Sequence, residues 1–397
     1  MQQAVIIDVI RTASGRGKAG GALSAAHPVT LLAGVISALV ERNGLTGDAI
    51  DDVIAGCVAQ VGDQSLNVAR TAVLAAGLPE TVPGTTIDRQ CGSSQQAVHF
   101  AAQGVMAGSY DIAIACGVES MSRVPMGSAN IGGDSQSPLV DRYPEALVNQ
   151  GVAAELVADR WRISRARMDE YAVRSHELAA KAGASGEFDR EILPVKVNRT
   201  AGPTITHRVD ETVRPGTTLD RLATLPSAFR TTDLADRFPD LEWNITPGNS
   251  SPLTDGASAA LTMSAERARA LGLTPRARVH TMTVTGSDPL LMLTGVIPAT
   301  RKVLHQSGLS LDQIDVFEVN EAFAPVPLAW AAELGVDGER VNPRGGAIAL
   351  GHPLGGSGTR ILATLVNHLE STGGRYGLQT MCEFGGMANA TIIERLE

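Results

Sequence analysis

Thr85-Thr86-Ile87-Asp88-Arg89-Gln90-Cys91-Gly92-Ser93-Ser94-Gln95-Gln96-Ala97-Val98-His99-Phe100-Ala101-Ala102 sets the frame for everything around it. Thr85 to Ile87 is β-prone, whereas Ala97, Val98, Ala101, Ala102, Val105 and Met106 recur at helical spacing. Cys91 therefore stands where a strand turns into a helix. Unpaired N–H groups at a helix start favour an anion, so the position predicts a thiol of lowered pKa. Gly92 leaves the backbone free to approach a ligand. The competing reading of any lone cysteine is a buried structural one.

Upstream, Ala4 to Ile10 reads as a strand, Val29 to Glu41 as a helix, Val53 to Val61 as an apolar stretch and Asn67 to Ala76 as a second helix. Downstream, Tyr110 to Gly117 reads as a buried strand. The C-terminal part repeats this order: a strand over Arg278 to Thr285, a helix over Ala299 to Gly308 and a strand over Val316 to Val319. A helix with Ile361, Leu362, Leu365, Val366 and Leu369 on one face follows, then a last strand around Leu378 to Met381 that ends at Cys382. The spacings run in parallel. Cys57 to Cys91 is 34 residues and Asn320 to His352 is 32; Tyr110 and Tyr376 each precede a cysteine by six, Cys116 and Cys382. A duplicated βα unit accounts for this. Between the halves, a long helix pattern from about Ala153 to Ala182 lies in an excursion of the kind that commonly carries binding residues.

His352, in GGAIALGHPLGGSG (345–358), falls at the point of the second half that matches Cys91, at the end of a strand and the start of a helix, so a facing Cys–His pair is expected. Asn320 closes a strand in NEAFA (320–324), where capping a helix is the plain alternative. Cys382 follows a strand and precedes Gly385-Gly386. Gly15, Gly17 and Gly20 satisfy GxGxxG after a strand, but the next helix starts late and Glu41 sits inside a helix pattern. A nicotinamide or flavin site is not expected there.

Bulk properties narrow the class. A chain of 397 residues implies two or three domains or a duplication, and 4% aromatics with abundant glycine and alanine suit closely packed α/β layers. A net charge of -9 argues against a nucleic-acid partner. No signal peptide or membrane-spanning run is read, so a cytoplasmic, membrane-free protein is expected. Four scattered cysteines without CxxC, and eight histidines without HExxH, indicate neither disulfides nor a metal.

Taken in order, CGSSQQA (91–97), NEAFA, GGAIALGHPLGGSG and a terminal cysteine followed by paired glycines resemble the thiolase family. GNSSPLTDGASAA (248–260) and ISRARMDEYAVRSHELA (163–179) extend the resemblance over essentially the whole chain. It implies a five-layer αβαβα fold from two similar halves: residues 1–117 plus 248–270, an inserted loop domain over 118–247 that receives coenzyme A, and 271–397. It implies acyl transfer between 3-oxoacyl-CoA and CoA, in either direction, by a homodimer or homotetramer with no prosthetic group. Cys91 would be the acylated nucleophile, His352 its activator, Asn320 the holder of a water in the first oxyanion site, and Cys382 the general acid/base. The backbone N–H groups of Cys91 and Phe384 would form a second oxyanion site; Arg214 and Ser251 would contact CoA. Three positions depart from the family pattern: Phe384 in place of a glycine, Asp88 in place of an asparagine, and Asn149-Gln150 in place of a methionine-centred pair. The alternatives are a ketoacyl-synthase-type condensing enzyme, disfavoured by the second cysteine, and a non-catalytic lipid carrier, which would be expected to lack part of the Cys/His/Asn/Cys set.

Overall fold

The computed structural model describes residues 2–145, 147–198 and 202–396. The first half contributes β1 (Ala4–Thr12), α1 (Pro28–Arg42), β2 (Asp52–Gly56), α2 (Val68–Ala75), β3 (Gly84–Ile87), α3 (Ser93–Ala107) and β4 (Ile112–Ser120). After α4 (Gln150–Arg160), α5 (Arg165–Ala184) and shorter elements, the chain returns in β5 (Thr254–Ser264). The second half holds β6 (Ala277–Gly286), α6 (Val296–Ser307), β7 (Val316–Val319), α7 (Pro325–Leu334), the short α8 (Ala347–Leu350), α9 (Ser357–Thr372), β8 (Tyr376–Glu383) and β9 (Met387–Arg395).

Hydrogen bonding makes the duplication explicit. The first half runs β3-β2-β4-β5-β1, with β2 parallel to β3 and β4, and with β5 antiparallel to both β4 and β1. In the second half, β7 is parallel to β8 and to an isolated bridge at Val341; β9 is antiparallel to β8 and β6. The two orders coincide strand for strand. They join at one edge, where Val5 and Ile6 of β1 face Arg278 and Ala277 of β6. Cys57 and Asn320 both follow equivalent strands, and Cys116 and Cys382 both lie inside equivalent strands.

β1 is buried along its whole length, its largely apolar run enclosing Asp8, Arg11 and Thr12 as well. Val5, Ile7 and Ile10 pack under α1 and α2, while Ala4, Ile6 and Val9 pack against α3 and α9. The α3/α9 layer also contacts Ala277, Val279, Val316 and Ile393 of the second half, whose other face packs against α6 and α7. This is the five-layer αβαβα arrangement. The central helices approach closely because a Cβ on Gly358 would strike the backbone of Gln95, and Thr359 N–H donates to Ser94 Oγ at 3.0 Å. Buried Arg11 of β1 ties in the segment after α5, bonding Glu191 at 2.6 Å and Asp210 at 2.7 Å.

Three expectations need correcting. The helix read over Ala153 to Ala182 is two helices: Arg162 adopts φ 53 and Ser164 caps α5 by accepting from Arg167 N–H. The strand at Cys382 is not the last. It continues to Glu383, and after a turn with Gly385 and Gly386 at φ 82 and 80, β9 pairs back along it. His352 does not follow a strand; it lies between α8 and α9, the nearest strand-like contact being the bridge at Val341.

Candidate active site

Cys91 occupies a tight turn between β3 and α3. Gln90 just before it has φ 50, a left-handed conformation costly for a residue with a Cβ. Asp88 holds that turn: its Oδ1 accepts from Gln90 N–H at 2.6 Å. That gives the acidic departure at position 88 a structural role in presenting the cysteine. Gly92 is the N-cap of α3.

The expected lowering of the Cys91 pKa is not found. The thiol is buried, and burial together with the nearby Glu383 carboxyl pushes it up to about 12, against a weaker pull from Gln150. Helix-terminal dipoles do not outweigh removal from water here. The resting group is a neutral thiol, and any attack requires a base to take its proton.

His352, on the loop whose Leu354 packs against Cys91, is the candidate for that base. Its ring is buried, and burial with Arg360 nearby lowers its pKa to about 3, so the imidazole is neutral. Nδ1 lies 2.6 Å from Ser357 Oγ, and Ser357 donates its own proton to Pro353 O at 2.9 Å. Ser357 must therefore accept from His352 Nδ1–H, which leaves Nε2 with its lone pair. Asn320 Nδ2 donates to Nε2 at 3.3 Å, while Asn320 Oδ1 is buried without a partner. Asn320 does not cap a helix, since α7 begins only at Pro325. Its neighbour Glu321 fixes the loop instead, accepting from Tyr171 Oη (2.9 Å), Ser175 Oγ (2.7 Å), Asn342 Nδ2 (2.9 Å) and Ile348 N–H (3.1 Å).

Leu354, two residues beyond His352, packs with Cys91, Ile361 and Met381 in one apolar cluster. Cys382 lies inside β8, not after it, and its thiol is held well above the ordinary range by burial and by proximity to Cys91 and Glu383. The two thiols and the His352 loop thus converge. Phe384 follows β8 outside the left-handed region, so its side chain strains nothing, and it packs against the apolar cluster of α4, α6 and α7.

Ser251 is drawn to the same place: its N–H and Oγ both donate to Ala322 O at 3.0 Å, two residues from Asn320. Arg214 is exposed, its N–H on His176 Nδ1 of α5 at 3.2 Å. Asn149 caps α4 by accepting from Val152 N–H at 3.0 Å, which turns Gln150 towards Cys91 although its Nε2 has no conventional hydrogen bond. Gly17 of the GxGxxG run lies against the backbone of Leu253 and Thr254, a packing role. Ser357, Gln90 and Glu383 were not singled out from sequence, because a serine, a glutamine and a strand glutamate carry no local signal.

Comparison with known proteins identifies the family. Residues 4–266 match the family described as thiolase, N-terminal domain, and residues 273–395 match thiolase, C-terminal domain. The chain is 46% identical to a steroid 3-ketoacyl-CoA thiolase, FadA6, of Mycobacterium tuberculosis, covering 100% of this chain and 95% of that one. It is 44% identical to a 3-ketoacyl-CoA thiolase of Aliivibrio salmonicida over the full length of both. The acetyl-CoA acetyltransferase of Bacillus anthracis superposes with a TM-score of 0.89 at 37% identity, covering 100% of this chain and 99% of its own.

Proposed function

Because this chain belongs to the thiolase family, we propose that it transfers acyl groups to and from coenzyme A through Cys91, cleaving 3-oxoacyl-CoA or running the condensation in reverse. What carries the reading is the His352 tautomer: Nδ1–H donates to Ser357, so the lone pair lies on Nε2, where Asn320 Nδ2 now donates, and it supplies the base for a buried, protonated Cys91 thiol. In cleavage, the Cys91 proton passes to His352 Nε2 as sulfur attacks the 3-oxo carbon. The C2–C3 bond breaks, and the acetyl-CoA enolate takes a proton from the Cys382 thiol. A second CoA thiol gives its proton to the Cys382 thiolate, attacks the acyl-Cys91 thioester, and Cys91 leaves with the proton returned by His352.

Asn320 Oδ1, buried and unpartnered, is an acceptor for the water assigned to the first oxyanion site, beside His352. The N–H groups of Cys91 and Phe384 serve the second; one such donor is worth about 3–4 kcal/mol. Ser251, held at the Asn320 loop, contacts the pantetheine arm, and exposed Arg214, in an inserted domain over 118–247, the nucleotide end. The active unit is a homo-oligomer in the cytoplasm, which sedimentation and cell fractionation would test.

The deciding experiment is a panel of 3-oxoacyl-CoA substrates, from short to ring-bearing, with CoA and intact-mass detection of the protein. A mass gain equal to the acyl group on wild type, absent in Cys91→Ser, is expected. Turnover retained by Cys91→Ser would end the proposal.

A further inference from the structure

The hairpin that bears Cys382 meets the start of α3 at a point the mechanism above leaves unused. Side chains alternate along a strand, so Met381 and Glu383 share one face of β8. Met381 packs with Cys91. Glu383 is fully buried, and neither carboxyl oxygen has a hydrogen-bond partner. A Cβ added to Gly92 would overlap both Glu383 Oε1 and Asn389 Oδ1. The bare Cα of Gly92 therefore makes the room in which these two oxygens face each other.

Asn389 Oδ1 is also buried and unpartnered, whereas Asn389 Nδ2 donates to Gln96 Oε1 of α3 at 3.2 Å. Two bare acceptors opposed in a dry site repel one another and forgo their hydrogen bonds. A single proton between them removes both penalties. We propose that Glu383 is a positioning residue held as an un-ionised acid, donating its proton to Asn389 Oδ1, so that Glu383, Asn389 and Gln96 fasten the Cys382 hairpin to the turn carrying Cys91.

The inference rests on Cys91 being the nucleophile. Burial pushes the Glu383 carboxyl up to about 9; Arg89 opposes this and Asp88 adds to it. The groups facing it are Arg89 and Asp88 before α3, the two thiols Cys91 and Cys382, and the uncharged Gln96, Met387 and Asn389. A carboxylate here would act directly against a thiolate at either sulfur, since Glu383 is among the causes that raise both. Neutrality at working pH is therefore what keeps Cys91 usable.

Infrared difference spectra of wild type against Glu383→Gln test this at neutral pH. A protonated-carboxyl C=O band present in wild type and missing from the variant is expected. The second readout is iodoacetamide alkylation of Cys91 followed by intact mass, with Cys91→Ser as background. The wild-type rate should rise with pH and then bend downward from that trend near 9, leaving it several-fold slower than Glu383→Gln above that pH. A carboxylate band at neutral pH, or a wild-type profile with no bend, overturns the proposal. Should Glu383→Gln fold poorly, the wild-type profile alone decides. Alkylation needs no turnover, so failure of the acyl-transfer reading is detected separately, by the missing acyl-enzyme.

Discussion

Asn320 and His352 are joined across the second half by a 3.3 Å contact between Nδ2 and Nε2, although they leave the backbone 32 residues apart. The contact has a direction only because the opposite ring nitrogen is occupied by Ser357 at 2.6 Å.

Ser357→Ala removes the acceptor that holds the proton on Nδ1. The other tautomer then becomes accessible, with Nε2–H pointing at Asn320 and no base facing the thiol. kcat is expected to fall roughly 10–100-fold, by analogy with residues that orient metal-bound histidines. Steady-state kinetics would check this, and a substrate KM that rises while kcat is unchanged would count against it.

Cys91 is raised to about 12 and His352 lowered to about 3, which fixes the sign of the pH dependence. Below its pKa the thiolate fraction grows by roughly tenfold per pH unit. Alkylation of Cys91 should thus climb steadily from pH 6 to 8.5. No inflection near 6.5 is expected, because His352 is already neutral there. A plateau at or below pH 8 would show the thiolate to be stabilised after all.

Tyr171→Phe deletes one of four donors to the buried Glu321 carboxyl and, with it, a link from α5 to the NEAFA loop. The loss should be about 1–3 kcal/mol, as for a buried acceptor that loses one of its donors. Urea unfolding monitored by tryptophan fluorescence would measure it. A change within about 0.5 kcal/mol, the usual range of surface substitutions, would show that Glu321 depends little on this tyrosine.

Gly358→Ala places a methyl group against the Gln95 backbone, where no side chain can swing away. The central helices must separate, at a cost of about 1–3 kcal/mol by analogy with overpacked cores. Because α3 follows Cys91 and α9 follows His352, activity should fall with stability. Thermal unfolding and turnover measured on the same sample would reveal a variant that loses neither, contrary to this expectation.

Local pattern was enough to locate most elements and to bring forward Cys91, Asn320, His352 and Cys382 as candidates, their roles coming from the family resemblance. The apolar run of β1, the helical spacing after Cys91 and the paired intervals Cys57–Cys91 and Asn320–His352 are properties of neighbouring residues, and each has its counterpart in the strand order. β9 escaped notice because Met387-Ala388-Asn389-Ala390-Thr391 carries small and polar side chains, although every position from 388 to 394 is buried. Its burial is imposed by β6 and β8 on either side.

What sequence determined on its own was the duplicated α/β plan and the candidate set Cys91, Asn320, His352 and Cys382. What tertiary structure decided was the protonation of Cys91, His352 and Cys382. Helix-start position argued for a lowered thiol pKa; enclosure beside Glu383 reversed it. Desolvation and electrostatics depend on how much water is excluded and which charges stand nearby, and those neighbours come from strands hundreds of residues away.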